Sequence, residues 1–214
     1  GFFHAVIGPF LAFFKTFGPA SILILAAISL FQLPNFVSGP MYNPMYVDLG
    51  ITKDMVGAVR GSIGLAGVFA GVATGGVLSL RLGLMPAVIV GCLGQMLGTA
   101  LFAVLPYAHD PLTFAAIMGL DNFAIAMAGV TLVAYMSSLT SLGYTATQYA
   151  LLSSTYAWAG KILKGFSGEV VEALSAHVGL MNAYGLFFLG CGAIGIPALV
   201  LFAILNRPGT MKPA

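Results

Sequence analysis

The chain has 214 residues, of which 59% are hydrophobic and 7% charged, against roughly a quarter charged in a soluble domain. That composition excludes an ordinary water-soluble fold, and a formal net charge of +2 carried by scattered basic residues excludes an electrostatic footprint for nucleic acid. Cys92 and Cys191 stand alone in separate apolar runs, at neither metal-ligand nor redox spacing, and read as packing residues.

A helix that crosses a bilayer needs roughly 20 mostly apolar residues. The opening stretch FFHAVIGPFLAFF is shorter than that and carries Gly8 and Pro9, so residues 1–19 are predicted to be a broken, interfacial lead-in that passes Lys15. Gly1 opens the chain and no charged n-region with a small-residue cleavage site follows; the sequence reads as a portion of a longer one, without a signal peptide. Six apolar runs come next, at about 20–46, 54–80, 84–106, 111–140, 145–173 and 181–205, and residues 206–214 form a tail. The expected fold class is all-α integral membrane, a bundle of six transmembrane helices.

Pro34, Pro40 and Pro44 punctuate the second half of the first run and predict a kinked or broken helix, tolerated where neighbouring groups satisfy the freed carbonyls. The second run starts at Thr52 with Asp54 two residues on, a cap with a favourable dipole charge. Along it Gly57, Gly61, Gly67, Gly71 and Gly75 include G-x-x-x-G pairs, repeated by Gly94 and Gly98 in the third run; such glycines let helix backbones approach closely. Asp110 before Pro111 is a cap with proline at the first helical position, and Thr145 with Gln148 is a T-x-x-Q capping box that opens the fifth run.

Six crossings put both termini on one side. Lys15, Arg81, Arg207 and Lys212 fall on that side, against Lys53 on the other, so the termini are expected to be cytoplasmic. Asp48, Asp54, Asp110, Glu169 and Glu172 fall near the opposite ends, in agreement.

With the acidic residues near the ends set aside, four charged residues remain within the runs: Arg60 in the second, Asp121 in the fourth, Lys161 and Lys164 in the fifth. Intramembrane charges are expensive and face a bundle interior or a wet cavity. Runs two, four and five are therefore expected to line something, while the charge-free third and sixth face lipid. At about 1.5 Å per residue, Asp121, Arg60 and Lys161 all sit roughly 10 to 18 Å from their helix ends. A carboxylate beside cations in one layer suits a proton relay or an ion-coupled site; a buried ion pair that joins two helices fits the same pattern. Lys164, nearer the interface, fits snorkelling equally well. Asn35, Asn43, Asn122 and Gln95 offer hydrogen bonds to a polar solute or between helices, the latter being the better reading of Gln95.

Tyr42, Tyr46, Tyr107, Tyr144 and Trp158 lie towards predicted ends and read as an interfacial belt; Tyr149, one turn inside the fifth run, reads as a cavity wall. His109 and His177 read as solvated loop residues. No H-E-x-x-H, G-x-S-x-G, P-loop or paired-carboxylate pattern occurs in the sequence, so an enzyme has little support, and neither a metal nor an organic cofactor is implied.

Several words of the sequence are distinctive. SLGYTATQYALLSS at 141–154, followed by AWAGKILKGFSGEVVEAL, resembles the carboxyl-terminal half of AmpG-type permeases, in the peptide/acetyl-coenzyme A/drug group of the major facilitator superfamily. YVDLGITKDMVGAVRGSIGL, GGVLSLRLGL and LDNFAIAMAGVTLVAYMSSL resemble, in order, the family's turn into its eighth span, the following cytoplasmic turn and its tenth span. The resemblance covers nearly all of the chain from about residue 20. It implies a twelve-span transporter of the bacterial inner membrane, built of two six-helix halves, that imports cell-wall-derived anhydro-muropeptides by proton symport. The lipid bilayer, a muropeptide-like solute, a proton and either an amino-terminal six-helix half or a second copy are the implied partners. It also implies that spans seven, eight, ten and eleven line the cavity while nine and twelve are peripheral, which matches the distribution of charge. On this reading Asp121 carries or gates the proton, Arg60, Lys161 and Lys164 attract the solute's acidic groups, and Asn35, Asn43, Asn122 and Tyr149 offer hydrogen bonds. Two departures stand out: the superfamily's G-x-x-x-D-R-x-G turn appears as Gly76 to Gly83 with Leu80 in place of aspartate, and Asp121-Asn122 stands where the family often has glutamate-asparagine. Relatives in the group move acetyl-coenzyme A or siderophores, and a membrane interaction or signalling protein without cargo is the rival from another class.

Overall fold

A computed structural model describes residues 2–140 and 145–210; residues 141–144, with Tyr144, and 211–214, with Lys212, lie outside the described residues. The described chain is helical almost throughout. In hydrocarbon each N–H and C=O must be paired within its own segment, which a helix achieves and an irregular loop does not. Seven helical rods follow in order: α1, Phe2–Phe17; α2, Ala20–Asp48; α3, Lys53–Leu82; α4, Leu84–Val104; α5, Pro111–Ser138; α6, residues 145–178; and α7, Leu180–Leu205. Among the described residues α2, α3, α4, α5 and α7 are long and apolar enough to cross a membrane. The rod α6 is helical along its length but is interrupted by a 3-10 turn at Lys164–Phe166 and carries Ser153, Ser154, Thr155 and Lys161.

The break expected at Gly8 and Pro9 does not occur, because α1 runs through both. Packing outweighs the proline penalty here. Pro9 is buried, its carbonyl accepts a hydrogen bond from Gln148 Nε2 of α6 at 3.1 Å, and Phe13 is buried in the core. The prolines of α2 do divide their helix, into Ala20–Phe31, Leu33–Ser38, a 3-10 turn at Gly39–Met41 and Tyr42–Asp48. Pro34 sits in the first turn of its segment, where a missing N–H has no helical partner to lose. The carbonyl left over at the break is satisfied from α4: Gln95 Nε2 donates to Phe31 O. Asn35 Nδ2 donates to both Gln95 Oε1 and Gln32 Oε1 at 3.0 Å.

Local capping chemistry sets two of the starts. Thr52 accepts from Met55 N–H at 3.2 Å, and Asp110 Oδ1 accepts from Leu112 and Thr113 N–H at 3.1 Å each. Hydrogen bonds from Thr113, and from Leu112, hold the exposed Asp110 carboxyl below the usual carboxylate range. A depressed folded value means that the cap's stabilisation is present above the unfolded pKa near 4 and is lost as pH falls through the folded value. Amide exchange at Leu112 and Thr113 is therefore expected to quicken several-fold on acidification relative to an Asp110→Asn variant, whose cap does not titrate. Equal pH profiles would show that the charge is irrelevant to this cap.

With lipid as apolar as leucine, helices associate through close contact rather than through water exclusion. The rod α5 lies between α3 and α4 for this reason. Cβ atoms added at Gly67, Gly71 and Gly75 would run into the carbonyl oxygens of Gly119, Phe123 and Met127, so the glycines of α3 lie at four-residue intervals over a matching row on α5. Gly91, Gly94 and Gly98 of α4 meet the other side of α5 at Thr131, Met127 and Ala124. Gly57 and Gly61, by contrast, have no atom within 4 Å of an added Cβ among the described residues, and α3 is the least buried of the five crossings. Single-residue turns at Gly83 (φ 86°) and Gly179 (φ 81°) return α3 into α4 and α6 into α7, in a backbone region that only glycine enters freely.

Two apolar clusters fill the bundle. One, at the end shared by α1 and the last residues of α7, contains Phe13, Ile24, Ile28, Phe31, Leu132, Tyr135 and Phe202. The other, towards the opposite end, contains Met45, Tyr46, Phe102, Phe114, Tyr184 and Phe188.

Candidate functional site

Helical spacing puts Met118, Asp121, Asn122 and Ile125 on one face of α5. Facing them are Tyr42 and Tyr46 from the last segment of α2, Arg60 from α3 and Phe102 from α4, and together these side chains line a cavity of about 270 Å³. The break in α2 positions the tyrosines. Because the chain turns at Gln32 and again at Gly39–Met41, Tyr42 packs its ring 4.6 Å from Phe102 and 5.2 Å from Phe188, and Tyr46 lies 5.2 Å from Phe114. Ser38 Oγ donates to the Tyr42 hydroxyl at 3.1 Å. Arg60 opens a five-residue π-helical turn, Arg60–Gly64, a distortion frequent at functional sites. That turn ends against the α5 amide, since a Cβ at Gly64 would lie 3.2 Å from Asn122 Nδ2.

Asp121 is 6% exposed, and its Oδ1 has no hydrogen-bond partner among the described residues. Burial of a carboxylate is costly unless it is paired, yet Arg60 shares its cavity without closing an ion pair to it. Gly98 of α4 leaves room for the carboxyl: a Cβ there would stand 3.2 Å from Oδ1. Asn122 Nδ2 is engaged locally, donating to Met118 O at 2.8 Å. A cavity that holds a permanent cation, an unpaired carboxyl and a wall of aromatic rings can bind an acidic or polar solute, and the carboxyl can change charge without first breaking a salt bridge.

Of the sequence-predicted residues, Arg60, Asp121 and Asn122 come together. Asn35 is bound in the bridge to Gln95 and Asn43 lines a neighbouring pocket. Lys161 and Lys164 are exposed on α6, outside the cavity lining, and the half-buried Tyr149 packs against the first apolar cluster. Tyr42 and Tyr46, read from sequence as belt residues, instead stand in the cavity wall. Phe102, Met118 and Ile125 carry no signal of their own, although Met118 and Ile125 lie three and four residues from Asp121 and follow once that residue is chosen. The charge-free α4, expected to face lipid, is the most buried of the five crossings: it exposes Val90, Leu93 and Leu97 but carries buried Gln95 and Thr99 into the bundle and Phe102 into the cavity wall, while α7 exposes Leu186, Leu189 and Val200.

No family model matches the chain. Among curated proteins it is similar to the transporter AmpG 4 of Rickettsia felis, 31% identical over 207 residues that make up 95% of this chain and 47% of that protein. It is also similar to AmpG 4 of Rickettsia conorii, 32% identical over 94% of this chain and 46% of that protein, and to AmpG 3 of Rickettsia prowazekii, 27% identical over 73% and 38%. The chain spans about half the length of the curated relatives it matches, and those relatives are named as transporters rather than as enzymes. Matched over nearly all of its length and helical across several membrane-crossing runs, the chain belongs to the AmpG-type permeases, multi-pass membrane proteins of the major facilitator superfamily.

Proposed function

We propose that this chain forms a six-helix half of a proton-coupled importer of anhydro-muropeptides in the bacterial inner membrane. It works against a second six-helix unit, an amino-terminal half or a second copy, by rocking about a site near the midplane. The observation that carries the reading is the buried Asp121 carboxyl, unpartnered at Oδ1 in the wall of a cavity that also holds Arg60. A carboxyl in that position can take up a proton from one side and release it to the other, while the guanidinium, charged at every physiological pH, holds an acidic group of the solute. Asn122 and the tyrosine rings orient the solute. Lys161 and Lys164 add cations on α6, and Asn35, Asn43 and Tyr149 remain candidate hydrogen-bonding groups along the path. The cation distribution, with Lys15, Arg81 and Arg207 towards one side, supports cytoplasmic termini for this segment.

Uptake of a labelled anhydro-muropeptide into vesicles that contain the native protein tests this reading. Accumulation is expected with an imposed proton gradient and is expected to disappear on addition of a protonophore. Absence of uptake by well-inserted protein would sink the muropeptide reading, and competition by acetyl-coenzyme A or a siderophore would then assign the cargo.

A further inference from the structure

Gln95 is fully buried in α4, where an amide is costly unless its groups are paired. Its hydrogen bonds among the described residues go to α2: Nε2 donates to Phe31 O, and Oε1 accepts from Asn35 Nδ2 at 3.0 Å. An unbroken helix would pair the Phe31 carbonyl with its own Asn35 N–H, so the break at Gln32 and the amide that tends it form one unit. From Asn35 the contacts continue towards the cavity. Ser38, also fully buried, holds its Oγ 3.3 Å from Asn35 O and donates to the Tyr42 hydroxyl at 3.1 Å. That donation leaves the phenol hydrogen free for another acceptor, and Tyr42 lines the cavity beside Asp121. The short segment Leu33–Ser38 is also held from α6, whose buried Ser167 donates to Val37 O at 2.7 Å.

We propose that Gln95 is a positioning residue for the solute cavity: through Asn35 and Ser38 it fixes the last segment of α2 so that the Tyr42 phenol presents a hydrogen-bond donor to an oxygen of the solute. This inference deepens the transport reading above and rests on it. Gln95 stands outside the cavity lining, so it acts through Tyr42 rather than by contact. Joining two helices would take a paired amide anywhere along α4; here both ends of the amide are spent on the segment that leads to the tyrosines.

The first test needs no solute. 3-Fluorotyrosine is incorporated at position 42 alone, in the native protein held in lipid nanodiscs, and its fluorine resonance is followed by NMR. Gln95→Met keeps an unbranched side chain of similar length and removes both hydrogen bonds. It is expected to shift and broaden the resonance as the ring loses its fixed place beside Phe102 and Phe188. Ser38→Ala is expected to shift it too, and it decides the matter if Gln95→Met fails to fold. Thr99→Val, one turn further along α4 at a hydroxyl with no partner among the described residues, is the control and is expected to leave it in place. A resonance unmoved by both Gln95→Met and Ser38→Ala overturns the proposal.

The second test is a double-mutant cycle on uptake of labelled anhydro-muropeptide. Gln95→Met and Tyr42→Phe are each expected to weaken transport about tenfold, in KM rather than in kcat, in line with the loss of one hydrogen bond. The double variant is expected to stay at about tenfold instead of reaching about a hundredfold, because both changes remove the same contact. Multiplying losses overturn the action through Tyr42, since a merely structural glutamine matters equally whatever stands at position 42. If muropeptide is not transported at all while the fluorine resonance responds as described, the cargo reading falls and the positioning of Tyr42 by Gln95 stands.

Discussion

Asp121→Asn is expected to leave α5 inserted and the bundle folded while ending accumulation of solute against a gradient. Asparagine keeps the size of the side chain and fits the same space beside Gly98, so packing is unchanged. What it removes is the carboxyl that lines the cavity, the group proposed above to carry the proton. One proton moved through 100 mV is worth about 2.3 kcal/mol, which supports an accumulation of roughly fiftyfold for a net-neutral solute. The inside-to-outside ratio is expected to drop from that order to about one, while counterflow exchange of preloaded solute continues. Uptake ratio and counterflow, measured beside size-exclusion profiles in detergent, separate the two roles. Preserved accumulation with a lost monodisperse peak would make the carboxyl a structural group only.

The second large effect is expected at Gly71. A Cβ there would collide with the Phe123 carbonyl oxygen and stand 3.0 Å from Ala126 Cβ, and a backbone atom cannot swing aside as a side-chain end can. Gly71→Val is expected to force α3 away from α5 and to destabilise the bundle by at least the ~1–3 kcal/mol typical of overpacking. Arg60 and Asn122 would separate with the helices, so solute binding falls as well. Gly57→Val is the matched control: it is also on α3, but with open space around it, and is expected to be close to neutral. Thermal stability of the two variants in one detergent tests the pairing, and equal loss in both would mean that the α3–α5 crossing is not the weak point.

Much of this is legible in the sequence. Length and hydropathy mark five of the six expected runs, because the bilayer sets a minimum apolar length for a span; the run at 145–173 is helical but falls short in hydropathy. The caps at Thr52 and Asp110 are readable because they involve neighbours within three residues. Arg60, Asp121 and Asn122 announce themselves as polar groups in apolar surroundings. What the sequence does not carry is azimuth. Lys161 gives the same signal as Arg60 yet stands on α6 outside the cavity lining, since a charge in an apolar run reports depth and not direction. Gly57 and Gly61 form a G-x-x-x-G pair as good as Gly67 and Gly71, but only the second pair meets α5. Tyr42 and Tyr46 read as belt residues because they stand near the end of a run; the divided helix of α2 carries them inward, and that is a property of its packing against α4 and α7.

The bridge from Gln95 to the Phe31 carbonyl bears on electrical insulation. A side chain of α4 satisfies the open carbonyl of α2, so that carbonyl needs no water, and the layer beyond it is filled by rings and aliphatic side chains. Phe31 and Tyr135 each meet Phe202 edge to face, at 5.8 and 5.7 Å, with Ile24, Ile28 and Leu132 packed around them. An ion would have to shed its hydration to cross that layer, at a cost of several kcal/mol even after relaxation. Within this bundle an apolar layer of that kind is expected to resist the leak of ions that would otherwise run down the membrane voltage.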